Sequence, residues 1–95
     1  MEDLLSAQAS VQMAIPDVVA HYRPAGVLTW NLLHLMESEV LEMLEEDGYP
    51  EWIIDMLRAP ESPEYPHDDH AVSFEKHDCI PPVFAAIDDE WRQAD

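Results

Sequence analysis

Thr29-Trp30-Asn31-Leu32-Leu33-His34-Leu35-Met36-Glu37-Ser38-Glu39-Val40-Leu41-Glu42-Met43-Leu44-Glu45-Glu46-Asp47-Gly48 is the stretch whose periodicity decides the fold. Set at 100° intervals, Leu32, Met43, Met36, Val40, Leu33, Leu44, Trp30 and Leu41 fall in one arc roughly half the circumference wide. A helix that faces one core needs a narrower stripe. The pattern therefore predicts a helix from Trp30 to Asp47 covered on two sides, by other helices or by a second copy of the chain. Thr29 suits its N-cap, and Gly48 suits the C′ position, where the backbone turns left-handed. Asn31, Ser38, Glu39, Glu42, Glu45 and Glu46 share the opposite side with Leu35, while Glu37 falls inside the apolar arc.

Upstream, Asp3 is placed to cap a first helix with Leu4, Ala7, Val11 and Ala14 at helical spacing. Pro16 is expected to end that helix and to open a second short one through Val18, Val19 and Tyr22, with Arg23-Pro24-Ala25-Gly26 as a turn. Downstream, a helix after Pro50 places Trp52, Ile53, Met56 and Leu57 on one side and Glu51, Asp55 and Arg58 on another. This makes a helical hairpin across Asp47-Gly48-Tyr49. Residues 60–82, rich in proline, histidine and acid, read as an extended loop with a short turn of structure near Val72 to Glu75. Pro81-Pro82 then opens a last helix striped with Val83, Phe84, Ile87 and Trp91. The expected fold is all-α: residues 1–95 as a single-domain bundle of about four to five helices, with the long loop before the last.

A hydrophobic fraction of 47% is ample for a packed core in 95 residues. The 21 acidic residues against 4 basic ones leave a net charge of −17, far more than solubility requires. Such a field repels DNA, RNA and anionic membranes and attracts cationic surfaces. Direct nucleic-acid binding and membrane binding are therefore not expected, and a basic nucleic-acid-binding protein or complex is the partner the charge points to. With Cys79 the only cysteine, no intrachain disulfide can form. Met1-Glu2-Asp3-Leu4-Leu5 has neither a basic region nor a long apolar run, so a cytoplasmic location is expected.

Catalysis has little to work with. Two glycines cannot make a Gly-rich phosphate loop, and neither a G-x-S-x-G nor an H-E-x-x-H pattern is present. Neither an enzyme nor a bound cofactor is expected. His67, His70, His77 and Cys79, spaced H-x2-H-x6-H-x-C, are of zinc-ligating types but lack the paired spacing of zinc fingers. The candidate binding residues are carboxylates. Glu39, Glu42 and Glu46 rise along the helix by about 4.5 and 6 Å, similar to the roughly 6.8 Å that two phosphates span along one DNA strand. Glu45, Glu51 and Asp55 extend this acidic surface. Glu37, costly to bury alone, either reaches solvent, pairs with Arg23, Arg58 or Arg92, or meets a cation on a partner.

In size, acidity and lack of catalytic motifs the chain resembles the small inhibitors that bacteriophages deploy against host DNA-processing systems: anti-CRISPR proteins, anti-restriction proteins and uracil-DNA glycosylase inhibitors. That resemblance implies a nucleic-acid mimic whose acidic side chains occupy the nucleic-acid channel of a host protein. Glu37-Ser38 is similar to the Glu-Ser step of the glycosylase inhibitors, where it lies in a strand. Tyr65-Pro66 and the closing Glu90-Trp91-Arg92 resemble bacteriocin-nuclease immunity proteins, acidic four-helix domains of nearly this size, although the double tyrosine of that family is missing and the proline-rich loop is longer. This second resemblance implies a single cognate toxin as partner. A zinc-binding accessory protein is the third reading.

Overall fold

The computed structural model describes residues 2–58, 71–72 and 80–93. Among these, four α-helices follow in order: α1 (Glu2–Tyr22), α2 (Trp30–Glu46), α3 (Glu51–Leu57) and α4 (Pro82–Gln93), with a 3-10 turn at Arg23–Ala25 between the first two. The bundle is all-α. α1 packs against α2, α3 and α4, and α2 also touches α3 and α4, so the wide apolar arc of α2 is covered by its own chain.

Each end of α2 is closed by the residues that mark it in the sequence. Thr29 is extended, and its Oγ1 accepts a hydrogen bond from the Leu32 N–H at 3.2 Å. At the other end Gly48 adopts φ +91°, where a side chain would be strained. The Gly48 N–H donates to Glu45 O and the Tyr49 N–H to Leu44 O, the paired bonds of a Schellman motif. Pro50 then caps α3, accepting from the Ile53 and Ile54 amides. Pro82 is the first residue of α4, where its missing N–H costs nothing.

Two expectations are corrected here. Pro16 does not divide the N-terminal segment, because α1 runs through it. Ala7, Val11, Ile15, Val18 and Val19 form one continuous buried stripe across the proline. Burying such aliphatic side chains gains about 1.5–3 kcal/mol each, which outweighs the ~3 kcal/mol of an interior proline. Pro16 itself is exposed, as is Gln12, whose carbonyl the proline cannot satisfy. Asp3 consequently lies inside the first turn rather than at the cap, where its charge still complements the helix dipole.

The second correction concerns α3. Ile53, Ile54 and Leu57 face the core, leaving Trp52 at 54% and Met56 at 59% exposure. The core itself is contributed by all four helices, with Leu33, Met36, Val40, Ile53, Val83, Phe84 and Ile87 among its fully buried members. Trp30 lies against Phe84 with ring centroids 6.2 Å apart. Leu28 joins this core, and its carbonyl accepts from the Val72 N–H at 3.1 Å beside an antiparallel Thr29–Ala71 bridge. Of the expected turn near Val72 to Glu75, only Val72 is described, and it is not helical.

Candidate functional site

The carboxylates proposed from sequence separate into an outer face and one buried residue. Glu42, Glu45 and Glu46 are exposed on α2, and Glu39 is half-buried beside them. Glu51 and Asp55 are exposed on α3. Helical geometry therefore sets Glu39, Glu42 and Glu46 in a row on the solvent side, opposite the stripe of Leu33, Met36, Val40 and Leu44.

One end of this row meets the end of α1. The Tyr22 phenol at the close of α1 donates a hydrogen bond to the Glu39 carboxylate. That bond raises the tyrosine's pKa above its ordinary value near 10, followed by partial burial and by the negative charges of Glu39 and Glu42. Glu45, Glu46 and Asp47 sit at the negative pole of the α2 dipole, and no basic residue occupies its last turn.

Glu37 is 5% exposed, so of the alternatives open to it in the sequence it does not take the solvent-reaching one. The reason is its angular position, within the arc that α1, α3 and α4 cover. Its Oε1 lies 3.9 Å from Nδ1 of His34 one turn earlier, an ion pair when that imidazole is protonated. His34 in turn stands edge-on to Phe84, ring centroids 5.0 Å apart. Histidine three residues before a carboxylate inside an apolar arc was the available sequence signal for this pairing.

The arginines relieve little of the outer charge. Arg92 pairs with Asp88 at 2.9 Å and Arg58 reaches Asp55 at 4.0 Å, both within single helical turns. Exposed pairs of this kind contribute at most about 1 kcal/mol. Arg23 instead lies over the Trp91 ring, 4.6 Å from its centroid, and donates from one Nη to Trp91 O at 2.8 Å. It therefore serves the last turn of α4, whose carbonyls favour a cation.

Apolar and acidic groups also meet between α1 and α2. Met13, Ala14, Val40 and Met43 line a groove that Glu46 and Asp47 border. Ser10 Oγ and the Tyr49 hydroxyl hydrogen-bond at 3.1 Å, pinning α1 to the α2–α3 turn next to this groove. Among the described residues no group of three or more His, Cys, Asp or Glu side chains is arranged to hold a metal. His67, His70, His77 and Cys79 lie outside the described residues, as does Tyr65-Pro66. Among the described residues, no helix is long and apolar enough to cross a membrane.

Fold and surface define a small all-α domain with an acidic outer face. The chain matches the family described as a protein of unknown function (DUF2471) over residues 2–95, and it belongs to that family. No curated protein and no solved structure matches it.

Proposed function

We propose that this domain is a small acidic binding protein that docks on a cationic surface of another macromolecule and blocks it against nucleic acid. The observation that carries this reading is the row of Glu39, Glu42 and Glu46 on the outer face of α2, with Tyr22 beside one end and no basic residue in the helix's last turn at the other. Negative groups on a rigid helix oppose a basic channel with little ordering cost, and the net charge of −17 draws the two surfaces together. The finer form of the proposal is an inhibitor of the kind that phages direct against host DNA-processing proteins. It acts in the host cytoplasm and occupies the channel where DNA or RNA would lie.

The test begins with capture of the partner and continues with competition. Duplex DNA or RNA should displace the domain, and affinity should fall steeply with salt, because the same cationic groups serve both ligands. Reversing Glu42→Lys together with Glu46→Lys should weaken binding by about tenfold or more, equivalent to ~1.4 kcal/mol. Helical content should be unchanged, since both side chains face solvent. Reversal of Asp68 and Asp69 is the control. If that control abolishes binding while the α2 variant retains it, the α2 row is not the recognition surface. A partner that proves to be a single toxin nuclease, indifferent to competing nucleic acid, would instead favour the immunity-protein reading.

A further inference from the structure

The groove between α1 and α2 combines two features that ordinary surface helices keep apart. Its walls are hydrocarbon, from Met13, Ala14, Val40 and Met43, and Met13 is 78% exposed. Its border is anionic, from Glu46 and Asp47, at the end of a helix whose last turn contains no basic residue. No lysine or arginine of the described residues lines it.

We infer that this groove receives an arginine or lysine side chain projecting from a cationic protein partner. The inference rests on the binding role proposed above and adds a second contact to it. The chemistry fits a long basic side chain on both counts. Its aliphatic stem would lie along Met13 and Met43, whose unbranched thioethers adapt to the shape of what they meet. Its cationic head would reach Glu46 and Asp47 and the negative pole of α2, where the helix's own last turn carries no basic residue. A second copy of the domain is a poor occupant, because each copy carries −17. Glu46 belongs both to this border and to the outer row, so the groove continues the acidic face rather than standing apart from it.

The test uses the full chain labelled at its methionine methyl groups, which give separate reporters at Met13, Met43 and the exposed Met56. The probe is a helical peptide of alternating leucine and arginine turns, compared with the same peptide carrying citrulline in place of arginine. The arginine peptide should move the Met13 and Met43 methyl resonances, and the citrulline peptide should not. Met13→Ser, and separately Glu46→Gln with Asp47→Asn, should each reduce the peptide's affinity several-fold with helical content retained. Binding that leaves Met13 and Met43 unmoved, or that shifts Met56 alone, overturns the groove while the acidic-face reading stands. Equal binding of both peptides, or of neither, overturns the groove, and loss of competition by nucleic acid for the captured partner is the separate result that removes the wider proposal. A dependence of the Met13 resonance on protein concentration without peptide would make the occupant a second copy and also overturn it.

Discussion

Tyr22 joins two roles that are usually separate: its ring packs against the core while its hydroxyl orients Glu39 on the acidic face. The neutral phenol donates that hydrogen bond and the phenolate cannot. Its folded pKa therefore lies above the unfolded value near 10, so this contribution to stability is fully present below pH 10 and is lost as the pH rises through the folded pKa. An ultraviolet titration should show Tyr22 ionising above the ordinary tyrosine range, and Glu39→Gln should bring that transition back toward it. A late transition that survives Glu39→Gln would assign the shift to burial instead. Glu37, two residues before Glu39, shows how much angle matters at this scale. A 200° step along the helix carries a carboxylate from the acidic outer face into the buried side of the bundle.

Among the elements, α2 was fully legible in its sequence and α1 was not. The cap at Thr29, the Schellman turn at Gly48 and the arc of Leu33, Val40 and Leu44 are local signals, set by side chains within a turn of one another. Pro16 is also a local signal, and it is overruled by tertiary burial that no local pattern discloses. Trp52 and Met56 failed for the opposite reason: seven residues of α3 make two turns, too few for periodicity to tell its Ile53–Ile54 side from its tryptophan side. The outer row was legible from spacing alone, whereas the bond from Tyr22 to Glu39 spans two helices and could not be read. For α1 the expected outcome is that Pro16→Ala stabilises the domain by about 1–3 kcal/mol, since the Gln12 carbonyl regains its helical donor. Thermal unfolding measures it. A lower midpoint would mean that the proline shapes α1 in a way that the buried stripe requires.

At the scale of the whole molecule, the field is the dominant property. Salt bridges at Arg58 and Arg92 are local and exposed, and Arg23 is engaged with Trp91, so the excess negative charge repels itself across the surface. Raising ionic strength shortens that repulsion to a range of about 8 Å at 0.15 M. The unfolding midpoint should therefore rise with sodium chloride over the same range in which affinity for a cationic partner falls. Measured on one preparation by calorimetry and by binding, the two slopes should have opposite signs. Slopes of the same sign would mean that the partner is held by apolar contacts and that the charge serves some other purpose.

Arg23 reaching Trp91, together with α1 resting on α4, also fixes an order of events in the making of the protein. α1, with its buried stripe, packs partly against α4, which is synthesised roughly sixty residues later along the chain. Until α4 emerges, a nascent chain holds an apolar strip with part of its covering absent, in the condition that chaperones recognise. Contacts so distant along the chain also slow folding relative to a bundle of neighbouring hairpins. The core of the domain can close only once α4 is in place.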